Sequence, residues 1–327
     1  MNDILVRQEI NEIINSIEGE VGIYACHPET GYEFKHQENQ LFPMASTYKI
    51  PIAMHCLRQV ELGMMQLDDF INIHPCDVRF FGNNNWLSNL ELPGVQLSLA
   101  NLLQLMLTVS DNTATDIILH RIGGPNAVTD YLRSLGIQDM TVNRSTLRML
   151  ADHTGIEHLP AEERCSLVQF SQLANAIPDT IKEQAATRFY LDLRDTTTPY
   201  AMGELLMKMQ QPAILHHDHL AFLLQCMRNC KTGLNRIRAK IPAEVQVADK
   251  TGTISGVTND VGIISLPNDN GNLILAIYIT KSITPLKQRE QAIADIAEIL
   301  FKHVYLNKPK SVTRKYQNEP SKTSEAG

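Results

Sequence analysis

Residues that alternate like β-strands lie at the two ends of this chain, and a long helix-rich stretch, from about Glu61 to about Gln211, keeps them apart. Near the N-terminus a helical pattern, Ile4 to Ile17, precedes strands near Val21 to Cys26 and Tyr32 to Lys35, with Glu29-Thr30-Gly31 as the turn. Near the C-terminus come a helix, three alternating strands near Val245, Val261 and Leu273, and a last helix from Gln288 to Tyr305. A sheet drawn from both ends has to close around whatever lies between. The pattern therefore predicts an α/β (α+β) sandwich, one antiparallel sheet flanked by helices, with an all-α lobe inserted. The expected boundaries are 1–60 and 212–307 for the sheet lobe and 61–211 for the helical lobe; the polar stretch 308–327 reads as a disordered tail.

Three short motifs then fall in order: Ser46-Thr47-Tyr48-Lys49, Ser110-Asp111-Asn112 and Lys250-Thr251-Gly252. Each alone has a bland reading, as a capped helix with a snorkelling lysine, a helix N-cap, and a strand end before a turn. Together, each in a suitable context, they describe an acyl-transfer site. Ser46 opens an apolar-periodic run, Ile50, Ile52, Ala53, Met54, Leu57 and Val60, which suits a buried helix. Lys49 returns to the same helix face three residues on, within reach of the Ser46 hydroxyl. A serine hydroxyl needs a base to take its proton, and a desolvated lysine of depressed pKa serves. Ser110-Asp111-Asn112 sits between two helical patterns, Leu99 to Val109 and Ala114 to Ile122. There Ser110 is placed to relay a proton to a leaving nitrogen and Asn112 to donate its amide to a substrate carbonyl, while Asp111 bonds local backbone.

Lys-Thr-Gly occurs twice. At Lys231-Thr232-Gly233 it ends a helix-like run, Leu220 to Cys230, so Gly233 reads as a C-terminal cap. At Lys250-Thr251-Gly252 it closes an alternating strand, Val245, Val247, Asp249, and leads through a turn to a second strand, Val261 to Leu266. Only this copy can lie along an extended substrate: the strand edge offers backbone groups, Lys250 a charge for a carboxylate, and the Thr253 N–H an oxyanion hole shared with that of Ser46.

At this point the chain resembles the class A serine β-lactamases, within the penicillin-recognising serine enzymes. Phe42 to Lys49, Val109 to Thr115, Ile122 to Pro125, Arg194 to Pro199 and Ala248 to Gly252 all resemble family blocks, and the likeness runs from about residue 8 to about residue 306. It implies a β-lactamase/transpeptidase-like fold with the site in the cleft between lobes, no cofactor, and a β-lactam or related acyl substrate. Thr232 to Ala239 is similar to the branch in which an arginine crosses to the Lys-Thr-Gly strand, which implies Arg236 as a carboxylate-binding partner of Lys250 and Thr251.

One segment departs from the family. Its Ω-loop carries Glu-x-x-Leu-Asn, whose Glu positions the water that frees the acyl-enzyme; here the stretch from about 143 to 195 is longer by about forty residues. Aligned from its start, the Glu position falls near Met149. Aligned on Gln172 to Pro178 it falls on Phe170 or Ser171. Neither is a carboxylate. Glu157, Glu162, Glu163 and Glu183 lie inside the insertion, as candidates to fold back or as solvated surface groups. Acylation thus has its parts and deacylation lacks an evident base. The alternatives to a β-lactamase are a penicillin-binding D,D-peptidase or esterase with slow deacylation, and a non-hydrolytic binding or effector protein on the same scaffold.

A net charge of −7 without a basic stripe argues against nucleic acid, and no stretch approaches the roughly 20 apolar residues of a membrane span. The reading is a monomer acting on a small molecule. Cys26, Cys56, Cys76, Cys165, Cys226 and Cys230 form no Cys-x-x-Cys pair. His216-His217-Asp218-His219, the one metal-like cluster, reads as a helix start, and no metal is expected. Met1 to Glu9 has early acids and no apolar core, so no signal peptide is read there; with the free thiols this leans to a reducing compartment, whereas family members usually work outside the cytoplasm.

Overall fold

The computed structural model describes residues 3–79, 87, 94–160 and 165–306. Helix α1 (Asp3–Asn15) leads into strands β1 (Glu20–His27) and β2 (Tyr32–His36). A short strand β3 (Phe42–Pro43) and a 3₁₀ turn (Ala45–Tyr48) then enter α2 (Lys49–Glu61). The middle contains β4 (Phe70–Asn72), β5 (Gln96–Ser98), α3 (Leu99–Thr108), α4 (Asn112–Arg121), α5 (Gly124–Ser134), α6 (Thr146–Thr154), α7 (Leu167–Ala176), α8 (Asp179–Phe189) and β6 (Thr196–Thr197). After it come α9 (Pro199–Met209), α10 (His217–Arg228), β7 (Val247–Ile254), β8 (Val257–Ser265), β9 (Asn272–Thr280) and α11 (Leu286–Leu306).

The five longer strands form one antiparallel sheet in the order β2-β1-β9-β8-β7, so β1, from the N-terminal end, pairs with β9, from the C-terminal end. This closure pins the two ends of the chain together. Successive residues of β9 enter different cores: Leu273, Leu275, Ile277 and Ile279 pack with α1 and α11, while Ile274, Ala276 and Tyr278 face the larger core shared with the central helices. Strand β9 thus reads as a nearly continuous apolar run, because both of its faces are covered, whereas β7 and β8 carry buried polar residues such as Asp249, Lys250, Asn259 and Asp260. Among the described residues strand β7 is an edge, with no strand paired to its outer side.

The helix starts follow local chemistry. Ser98, Asp111, Ser145, Ser166 and Thr198 each accept a hydrogen bond from a backbone N–H in the first turn of α3, α4, α6, α7 and α9. Two sequence expectations need correction. Lys250-Thr251-Gly252 lies inside β7, which runs on to Ile254, and does not close it. Gly233 does not cap α10, which ends at Arg228 with Asn229 as its C-cap. The reason for a glycine there is tertiary, since a Cβ at Gly233 would lie 2.6 Å from Asp249 Oδ2. The tail 308–327 lies outside the described residues.

Candidate active site

Ser46 sits in the 3₁₀ turn before α2, and the α-helix proper begins only at Lys49. The turn is held from several sides. Met44 N donates to Asp195 O (3.0 Å), Thr47 Oγ1 donates to Met44 O (2.9 Å), and Asn259 Nδ2 on β8 donates to Pro43 O (2.9 Å) and Met44 O (3.0 Å). Ala45 is forced to φ = 45°, a conformation that costs energy for a residue with a side chain. Its neighbours Ala45, Thr47 and Tyr48 are buried while Ser46 stays partly exposed, so the turn leaves one hydroxyl accessible.

The Lys49 ammonium nitrogen is fully buried and lies at Ser110 O (2.7 Å), Ser110 Oγ (3.0 Å) and Asn112 Oδ1 (2.8 Å). Among the described residues no hydrogen bond joins it to Ser46 Oγ. The direct contact expected from the Ser-x-x-Lys spacing is replaced by one to the second motif. Burial drives the Lys49 pKa well below the ordinary lysine value and the charge of Lys250 adds to this, against the pull of Asp111 and Asp116. Ser110 stands at the α3–α4 junction with φ = 59°, and that unusual backbone aims its hydroxyl between two amines. Lys250 Nζ approaches the same oxygen at 3.0 Å and donates to Thr251 O at 2.9 Å. Its pKa is also lowered by burial, but Cys230, Asp249 and Asp260 oppose the shift.

The remaining residues expected at the site meet along β7. A Cβ at Gly252 would lie 2.6 Å from Met44 O and 3.1 Å from Ser46 N, so glycine there lets the edge strand touch the Ser46 turn. Thr251 Oγ1 lies 2.5 Å from Thr232 Oγ1, which joins the two Lys-Thr-Gly copies. Arg236 does reach across to the Lys-Thr-Gly strand. Its Nη1 donates to Gly252 O (3.3 Å) and Asn259 O (2.8 Å), its Nη2 to Thr253 Oγ1 (2.6 Å), and Glu290 pairs with it at 3.2 Å. Asp111 is the N-cap of α4, donating nothing to the cleft: Ala114 N and Leu87 N bond its carboxylate at 2.9 and 3.2 Å.

The enlarged loop is tied at its neck. Arg144 Nε pairs with Asp195 Oδ2 (2.5 Å), and the backbone N–H groups of Asn143 and Arg144 bond Asp195 Oδ1 (2.7 and 3.1 Å). From there α6 starts directly beneath the nucleophile turn, with Thr146 Oγ1 2.5 Å from Tyr48 OH. Met149 is buried on α6, Phe170 half-buried and Ser171 exposed on α7. Glu157 and Glu183 are exposed and bond nothing at the site, while Glu162 and Glu163 lie outside the described residues.

Two residues escaped the reading of the sequence. Asp116 is buried and holds Arg79 Nε (3.0 Å) together with Thr146 N (2.6 Å) and Leu147 N (3.0 Å), fixing the start of α6 beside Lys49. The signal available was a carboxylate four residues after Asn112 in an apolar helix. Asn259, which holds the Ser46 turn, gave no signal of its own, lying between the polar Thr258 and Asp260. In the histidine cluster, His219 Nδ1 and His216 N instead bond Glu61 Oε1 at 3.0 and 2.7 Å. Among the described residues no group of His, Cys, Asp or Glu is arranged to hold a metal ion.

A serine presented by a strained turn, two buried lysines converging on a second serine, and an edge strand alongside bring together the three motifs by which the chain resembles the penicillin-recognising serine enzymes. Comparison with known proteins agrees. The profile of the beta-lactamase enzyme family matches residues 5–304, and the chain belongs to that family. It is 27% identical over 296 residues to an imipenem-hydrolyzing beta-lactamase of Enterobacter cloacae, covering 89% of this chain and 87% of that one. It is likewise 27% identical over 307 residues to the extended-spectrum beta-lactamase PER-1 of Pseudomonas aeruginosa (91% and 86%). Among solved structures it resembles the class A beta-lactamase of the last common ancestor of Gram-negative bacteria, with a TM-score of 0.73 at 27% identity over 91% of this chain and 98% of that one. It also resembles a beta-lactamase from Chitinophaga pinensis, with a TM-score of 0.73 at 26% identity (91% and 99%). The fold is that of class A, and at family level the activity is hydrolysis of β-lactams.

Proposed function

We propose that this chain hydrolyses β-lactams through an acyl-enzyme on Ser46. The observation that carries the reading is the convergence of Lys49 and Lys250, both 3.0 Å from Ser110 Oγ. A neutral Lys49 amine spends its two N–H groups on Ser110 O and Asn112 Oδ1, so its lone pair faces the Ser110 hydroxyl, while Lys250 donates to that oxygen from the other side; Ser110 can therefore pass a proton between Lys49 and a leaving nitrogen.

Ser46 Oγ attacks the lactam carbonyl carbon, and its proton passes by way of the neutral Lys49 amine and Ser110 to the ring nitrogen as the C–N bond breaks. The Ser46 and Thr253 N–H groups face the carbonyl oxygen as it becomes an oxyanion; the edge position of β7 supports that assignment. Lys250, Thr251 and Arg236 receive the substrate carboxylate, Gly252 lets it approach, and Asn112, whose Oδ1 is taken by Lys49, offers its amide nitrogen to the side-chain carbonyl. Water then cleaves the ester, returning the hydroxyl to Ser46 and releasing the acid.

Intact mass spectrometry after mixing with a penicillin tests this, with Ser46→Ala as control. A transient adduct accompanied by loss of the drug is the expected result. No adduct overturns the site assignment; a lasting adduct without loss of drug overturns turnover and leaves acylation.

A further inference from the structure

Helix α6 begins under the nucleophile turn and ends at the far tip of the substrate strand. Thr146, beside Tyr48, and His153, seven residues on, lie on the same helix face, separated by about 10 Å of helix at 1.5 Å per residue. His153 Nε2 lies 2.8 Å from the hydroxyl of Ser255, which makes the β7–β8 turn with φ = 47°. The end of α8 grips the next residue, where Gly256 N donates to Tyr190 OH at 2.8 Å. A Cβ at Gly256 would lie 3.0 Å from that phenol oxygen and 2.7 Å from Ser282 O, so the turn is closely enclosed. The grip is braced from behind. Phe189 meets His153 edge to face at 5.4 Å and carries the Arg144 guanidinium 5.6 Å from its ring centre, joining the clasp to the Arg144–Asp195 neck.

We propose that His153 and Tyr190 clasp the β7–β8 turn and thereby set the width of the cleft beyond Thr253, selecting β-lactams with compact acylamino groups. The inference rests on the substrate orientation proposed above. A penicillin carries its carboxylate and its acylamino group at opposite ends of the fused rings. With the carboxylate received around Lys250, Thr251 and Arg236, the acylamino group runs past Thr253 towards Ser255. Both hydrogen bonds come from the enlarged loop, so the insertion forms the wall at that end, and His153 and Tyr190 act as positioning residues.

The test compares acylation rates for a compact penicillin and for a cephalosporin with a bulky branched acylamino group, in the full chain and in His153→Ala, Tyr190→Phe and His153→Gln variants, with amide exchange at Gly256 followed in parallel. His153→Ala and Tyr190→Phe are expected to shift the rate ratio at least about tenfold towards the bulky compound, the scale on which pocket size discriminates. Gly256 exchange is expected to quicken in Tyr190→Phe, and His153→Gln, which keeps a partner for Ser255, should retain the original ratio. An unchanged ratio with faster Gly256 exchange overturns the selectivity while leaving the catalytic reading intact. Unchanged exchange overturns the clasp. No adduct with either drug overturns the catalytic reading and this inference with it.

Discussion

Lys49 and Lys250 share one hydroxyl: their ammonium nitrogens, from the first and third motifs, each lie 3.0 Å from Ser110 Oγ in the second. Two like charges on one buried oxygen repel, and the environment decides which amine gives up its proton. Asp249 and Asp260 support the charge of Lys250, whereas Lys49 is depressed by both burial and Lys250. Burial therefore bears harder on Lys49, which the proposed mechanism uses as the base, while Lys250 is the amine that would meet a carboxylate.

This assignment has a pH signature. The active form of Lys49 is unprotonated, so the acylation rate is expected to be level at alkaline pH and to fall as pH drops through its depressed pKa. Lys250→Ala removes one of the depressing charges and should move that fall to higher pH, whatever it does to the plateau; stopped-flow acylation across pH measures both. The same shift acts on stability. The unfolded chain holds the Lys49 proton up to about pH 10.4, so this group's contribution to stability rises with pH between its depressed value and that point.

Gly252→Ala should separate the strand from the nucleophile. The added Cβ meets the Met44 carbonyl and the Ser46 nitrogen, both backbone atoms that cannot swing aside. A stability loss of about 1–3 kcal/mol is expected from the overpacking, together with slower acylation. Thermal denaturation and the single-turnover rate report the two effects separately.

Arg144→Ala leaves Asp195 buried without its guanidinium partner, a change that typically costs about 3–5 kcal/mol. It also strips the cation from the face of Phe189. A lower melting temperature and faster limited proteolysis between about residues 143 and 195 are the expected outcomes.

Deacylation should be the slower half of the cycle. Glu157 and Glu183, the candidate bases among the described residues, are exposed and hydrogen-bonded to no site residue. A burst of one equivalent of opened lactam followed by a slower steady state is expected in rapid-mixing absorbance; a linear trace from time zero would contradict it.

The motifs were legible because their chemistry is local: a helix needs its cap, a strand its alternation, and Ser46 to Lys49 one turn of backbone. The antiparallel sheet drawn from both ends was legible too, since apolar runs at the termini have to cover each other. Gly233 shows where such reading stops, because its neighbour in space is Asp249, and a pattern confined to adjacent residues reported a helix cap. Asp116 and Asn259 stayed hidden for the same reason, as their partners are backbone atoms of segments remote in sequence.

By itself, the sequence determined the strands and helices at the two ends, the helix-rich middle, the three motifs and the family resemblance, all of which depend on neighbours in the chain. Only the tertiary structure decided that Lys49 turns to Ser110 and Asn112, that Arg236 lands at Gly252 and Thr253, and that the enlarged loop grips the tip of β7. Those contacts join segments far apart in the chain, and a buried amine or guanidinium takes whichever acceptors the packed core brings within reach.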